Sequence, residues 1–209
     1  MNARRTAILA VVAVVVVVAG CGSSSSTTSP TTTVSAAGKT TTAPGGIKNG
    51  PEVSPSGDIP DSQAYVAFSP PGSSFSVKVP EGWSRSAAGG VVTFTDKLNH
   101  IALSQATASA ALTAADARRI EVPRLTRTTP GLKQARISAV RRQAGTAVKI
   151  TYLAPSAADA VTGKLHTDAV ERYVFFRNGK RAIVTLSGPQ GADNVDPWRI
   201  VTDSLRFTR

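Results

Sequence analysis

The sequence predicts an α+β domain, an antiparallel β-sheet flanked by helices, for its last two-thirds, and three observations lead there. From Ala64 onward, short runs of alternating apolar and polar residues recur, each bounded by Gly, Pro, Asn or Asp. The dipeptide Asn178-Gly179 lies between two strong β runs, the signature of a tight primed turn. Helical periodicity is confined to two stretches, so strands outnumber helices by about eight to two, and short turns join consecutive strands.

Taken in order, "YVAF" and "SSFSVKVP" alternate, with Phe75, Val77 and Val79 on one face. "GGVVTFTD" and "HIALSQATA" follow as two strands joined near Asp96–Asn99. "ALTAADARRIEVPRL" reads as a helix with Thr113 as N-cap and Asp116 at its third position, ended or kinked by Pro123. "LKQARISAVRRQ" and "TAVKITYLAP" form a hairpin about Ala144-Gly145. The run Val170 to Phe176 is apolar at most positions, as expected of a central strand covered on both faces. "ADNVDPWRIVTDSLRF" closes the chain as a helix capped by Asp196, with Pro197 in its first turn. Trp83 and Trp198 are expected as core anchors, given the apolar area an indole buries.

The stretch "FSPPGSSFSVKVPEGW" resembles the opening of domains with the PsbP/Mog1-like fold, matching Phe-x-[Val/Ile]-x-[Val/Leu]-Pro-x-Gly-Trp at Phe75, Val77, Val79, Pro80, Gly82 and Trp83. Ser204, Leu205 and Phe207 likewise match that family's terminal Ser-[Phe/Leu]-x-Phe. With Val18-Ala19-Gly20-Cys21 at the N-terminus, which is similar to a bacterial lipobox, the resemblance is to actinobacterial lipoproteins of the LpqN/LpqT type. It implies an accessory or assembly role and no shared catalytic residues.

The N-terminus has a different character. Arg4 and Arg5 precede an uninterrupted apolar run from Ala7 to Ala19, then Gly20 and Cys21, the single cysteine of the chain. This is the layout of a secretory signal. The run is 13 residues long, short of the roughly 20 that a spanning helix needs. Val18-Ala19-Gly20-Cys21 resembles the lipobox of bacterial lipoproteins, in which the thiol receives a diacylglyceryl group and the signal is cut before it. An ordinary cleaved signal and an uncleaved anchor are the competing readings. The expected organisation is a signal peptide over 1–20, a lipidated Cys21 with a Ser/Thr/Pro-rich disordered linker over 21–61, and one α+β domain over 62–209. Two acyl chains hold a protein stably where one does not. A linker of this composition spans about 35 Å on average.

The expected setting is therefore the extracytoplasmic side of the cell membrane, with the membrane as partner through Cys21. A protein partner, a wall polymer or an apolar small molecule is the further partner class. One cysteine excludes an intramolecular disulfide. His100 and His166 lie on separate strands without a ligand-spaced companion, so no metal or cofactor is expected. No nucleophile motif and no phosphate loop is present, so no catalytic residue is named and the domain is expected to be non-enzymatic. A hydrolase whose site assembles only in space, with His100 or His166 at its centre, and a passive envelope structural protein are the alternatives.

Charge supplies one candidate site. Without Arg4 and Arg5 the chain keeps a net charge of +9. Eight cations fall in the 25 residues from Arg118 to Arg142, against Glu121 alone. Arg118, Arg119, Arg141 and Arg142 are the candidate anion-binding patch, facing lipid head groups or a charged polymer. A merely solvated helix face is the competing explanation. Nucleic acid is not expected, because no stacking aromatics interleave with the basic run.

Overall fold

The computed structural model describes residues 57–158 and 163–208. The signal, Cys21 and the linker up to residue 56 lie outside the described residues.

Ten strands and two helical stretches are present among the described residues. They run β1 (Tyr65–Phe68), β2 (Phe75–Pro80), β3 (Ser84–Ala88), β4 (Val91–Asp96), β5 (Asn99–Thr107), α1 (Ala114–Asp116), a π-turn (Ala117–Glu121), α2 (Val122–Thr128), β6 (Lys133–Arg142), β7 (Gly145–Pro155), β8 (Thr167–Arg177), β9 (Lys180–Pro189), α3 (Val195–Asp203) and β10 (Arg206–Phe207). Seven strands form an antiparallel sheet in the order β3-β4-β5-β9-β8-β7-β6, and β1-β2-β10 form a second, small one. The α+β expectation holds, and the two strands beyond the eight expected are β3 and β10. β3 reads "SRSAA", exposed throughout, so it carries no alternation to betray it.

The large sheet separates two cores. On one face Leu103, Val184, Leu186, Tyr173 and Phe175 pack against Phe75, Val77 and Val79 of β2, Trp198 and Val201 of α3, and Leu205 just after it. On the other, Val148, Ile150, Tyr152, Val170 and Val174 pack against Ala117 and Leu125 of the first helical stretch and Leu112 just before it. β8 is buried on both faces, as its apolar run predicts. Each fully buried side chain such as Phe75 or Leu205 contributes about 1.5–3 kcal/mol over its exposed state. Trp198 is in the core, while Trp83 is half-buried against it with its indole N–H 3.4 Å from Gln63 Oε1.

The β8–β9 turn is the expected one: Asn178 at φ 48° and Gly179 at φ 74° supply the two left-handed residues that a primed turn requires. Three details differ from expectation. Pro123 does not end the first helix. Val122 N–H reaches back to Ala117 O, and this widened π-turn runs directly into α2, so the helical stretch continues past Pro123 with the local widening just before it that a proline's missing N–H calls for. Asp196 is not the cap of α3, because the helix starts two residues earlier from Asn194 and holds Asp196 inside its first turn. The domain also begins before residue 62. Ile59 is 5% exposed within the core and Gly57 O is bonded by two buried asparagines, so the last residues assigned to the linker are part of the fold.

Among the described residues, β3 and β6 are the outermost strands of the large sheet. β6 carries Lys133, Arg136, Arg141 and Arg142 and has an irregular register between Lys133 and Arg136, where Gln134 adopts φ 58°.

Candidate functional site

Alternation along β8 distributes its polar residues between the two faces: Glu171 and Tyr173 turn toward α3, Arg172 and Val174 toward the first helical stretch. α3 is held over the sheet by Trp198, Val201 and Leu205 and, at its start, by Asn194. Asn194 Oδ1 accepts from Ile59 N–H at 2.8 Å, and Asn194 Nδ2 donates to Gly57 O and Asn99 Oδ1, each at 3.0 Å. Asn99 Nδ2 donates to Gly57 O at 2.9 Å. Gly188 must be glycine for this cluster to form, since a Cβ there would stand 2.3 Å from Asn99 Oδ1.

Between α3 and the sheet opens a cavity of about 400 Å³, lined by Arg142, Lys149, Glu171, Tyr173, Asn194 and Trp198 among others. The Tyr173 hydroxyl donates to Glu171 Oε2 at 2.6 Å and accepts from Arg142 Nη2 at 3.2 Å. Lys149 Nζ donates to Glu171 Oε1 at 2.8 Å. Arg142 Nε donates to Thr202 Oγ1 at 3.1 Å and lies 3.5 Å from Asp203 Oδ1. Both cations also sit over the Tyr173 ring, Arg142 at 5.4 Å and Lys149 at 5.8 Å from its centroid. Burial, reinforced by the hydrogen bond to Glu171 and its charge, pushes the Tyr173 phenol well above the usual range, so it stays a donor at neutral pH. The lining combines these charged groups with the apolar Ala169, Pro189, Val195 and Trp198.

The two histidines meet on the other face, across Asp168. His166 Nε2 lies 2.9 Å from Asp168 Oδ1, and Thr95 Oγ1 lies 3.0 Å from His100 Nδ1. Burial lowers the pKa of His100, Asp168 raises it and His166 lowers it further. Asp168 is itself pushed up by burial, against the pull of both imidazoles. No cluster of three or more His, Cys, Asp or Glu suited to a metal ion is present among the described residues.

The basic residues singled out in the sequence lie on two elements, the π-turn and β6. Arg118 and Arg119 are exposed on the π-turn, where Arg119 pairs with Asp116 at 2.9 Å. Arg141 is exposed at the end of β6, and its neighbour Arg142 reaches the opposite layer to bond Tyr173 and Thr202. Of the four, Arg142 alone lines the cleft. Its companions Lys149, Glu171 and Tyr173 were missed, although charged residues flanking a tyrosine in an otherwise apolar central strand are a visible signal. No helix among the described residues is long and apolar enough to cross a membrane.

No protein-family model matches the chain, and no match is found among curated proteins. Among solved structures it is similar to cyanobacterial PsbP (CyanoP) from Synechocystis sp. PCC 6803, with 17% identity and a TM-score of 0.48 over 69% of this chain and 93% of that one. It is similar to the Ran-binding protein Mog1p of Saccharomyces cerevisiae, with 12% identity and a TM-score of 0.46 over 70% and 96%. It is also similar to LpqN of Mycobacterium tuberculosis, described as involved in cell envelope biogenesis, with 19% identity and a TM-score of 0.40 over 70% and 91%. The chain spans 46% of the length of a fourth similar structure, from Bacteroides thetaiotaomicron. These are likenesses of fold.

Proposed function

We propose that this chain is a lipid-anchored, non-enzymatic binding module on the outer face of a bacterial cell membrane, and that the cleft under α3 is where it holds a polar segment of a wall polymer. The lone cysteine at the lipobox position supports the anchor, and the Ser/Thr/Pro-rich linker supports a domain held away from the bilayer.

The observation that carries the binding reading is the Arg142–Tyr173–Glu171–Lys149 chain. Its groups are oriented by one another before any ligand arrives, so little ordering remains to oppose association. Its central phenol is held protonated with that proton given to Glu171, which suits accepting from a bound hydroxyl rather than proton transfer. A second reading, an extracytoplasmic hydrolase, draws on the Thr95–His100 contact beside Asp168.

The test has two arms. Cells fed an alkyne fatty acid are expected to label the native chain and not Cys21→Ser; an unlabelled native chain ends the anchor. Co-sedimentation of the full chain with purified cell wall is expected to fall with Arg142→Glu and to persist with Arg118→Glu. Equal sedimentation of all forms ends the cleft assignment.

A further inference from the structure

On the face of the sheet away from α3 lies a second cavity, of about 440 Å³, between the first helical stretch and the sheet. Arg124, Arg172, Arg181, Glu121, Ser104 and the Gly89-Gly90 turn are among its lining. The sequence reading singled out none of the three arginines as site residues.

Arg172 rises from the central strand β8 with a side chain only 14% exposed. Its Nη1 donates to Thr185 Oγ1 at 3.0 Å, and its Nη2 stands 4.0 Å from Glu121 Oε2. That same carboxylate oxygen is already taken by Arg124 Nη2 at 2.7 Å. Arg181 Nη2 donates to Ala110 O at 3.0 Å. The Nε atoms of Arg172 and Arg181 are buried and have no hydrogen-bond partner among the described residues. Asp116, the next carboxylate near Arg181, is engaged by Arg119.

Three guanidinium groups thus line the cavity against one carboxylate, an excess of two positive charges. Such an excess is costly in a partly desolvated place, and Arg124 and Arg172 repel one another there. An anion with two charges and several acceptor oxygens removes both costs. We propose that this cavity binds a phosphate monoester group. The planar forks of arginine match the oxygens of phosphate in pairs, whereas a single carboxylate neutralises only half of the excess. The cavity is several times larger than a phosphate, so the esterified organic group fits as well. A soluble phosphate ester and the head group of a lipid such as phosphatidic acid share this chemistry.

Isothermal titration of the full chain, in detergent micelles, with glycerol 3-phosphate tests it. Saturable one-to-one binding is expected, weakened about tenfold by Arg181→Gln and by Arg124→Gln, the loss of one charge-assisted contact each. Glu121→Gln is expected to tighten binding, because it removes the internal competitor; a purely structural Glu121 gives the opposite sign. Arg118→Gln, exposed on the same helical stretch and outside the cavity, is expected to change nothing. Micelles doped with phosphatidic acid separate the two sources: displacement of glycerol 3-phosphate identifies the lipid head group, and no displacement the soluble ester. Absence of saturable binding to the folded chain at millimolar probe overturns the proposal. So does an equal loss with Arg118→Gln, or weaker binding with Glu121→Gln.

Discussion

Replacing Asn194 by Ala tests how α3 is held over its cleft. Asn194 is 3% exposed and makes three hydrogen bonds, to Ile59 N–H, Gly57 O and Asn99 Oδ1. Gly57 O keeps a partner in the variant, because Asn99 Nδ2 still donates to it at 2.9 Å. Ile59 N–H and Asn99 Oδ1 do not, and each is a buried polar group stranded at roughly 1–3 kcal/mol. The expected loss is about 3–4 kcal/mol, seen as a fall in urea midpoint with unchanged slope. For a domain of this size it lowers Tm by about 6–16 °C. Asn99→Ala breaks the same cluster from the sheet side, so the double variant is expected to lose less than the two singles together, with a coupling of about 1 kcal/mol or more. A loss below about 1 kcal/mol for Asn194→Ala, or strict additivity in the cycle, would refute the reasoning.

Three further outcomes follow from the same geometry. Gly188→Ala drives a methyl group into Asn99 Oδ1 and Asn194 Nδ2 and is expected to cost about 2–3 kcal/mol by chemical denaturation; a neutral result would mean that the cluster yields freely. Tyr173→Phe removes the 2.6 Å bond to Glu171 and is expected to cost about 1 kcal/mol, since the carboxylate, 22% exposed, keeps Lys149 and access to water; in the native chain, ultraviolet titration should show Tyr173 ionising above the pH of ordinary tyrosines. His100 should titrate below ordinary histidine by NMR, and Asp168→Asn should lower it further because Asp168 raises it; an upward move contradicts the cluster. The sign for stability follows. The folded chain binds fewer protons at His100 than the unfolded one, so His100 lowers stability as pH falls from about 6.5 toward its depressed value. Asp168 acts oppositely, its contribution present below about pH 4 and lost as pH rises through its elevated value.

The hairpins and the central strand were legible because each rests on local chemistry. Asn178-Gly179 selects its turn alone, and the run from Val170 to Phe176 announces burial on both faces. The Thr113 cap was legible for the same reason: its hydroxyl accepts from Asp116 N–H at 3.0 Å, three residues away. The cap of α3 was misplaced because Asn194 spends its side chain on partners 95 to 137 residues distant, which no local pattern encodes. The sites were illegible for that reason too. Arg142 and Tyr173 meet only through the order β8-β7-β6, and Arg124, Arg172 and Arg181 only when a helix crosses the sheet. A charge count along the chain cannot say which side chains share a face.

The outermost place of β6 has a consequence for crowding. An outermost strand is a template on which a second molecule can add its own strand. Lys133, Arg136, Arg141 and Arg142 line that strand, and the irregular register at Gln134 breaks its straight run. Two copies approaching edge to edge bring like charges together before any backbone bond can form. Such an edge lets the domain be packed densely, side by side, without polymerising.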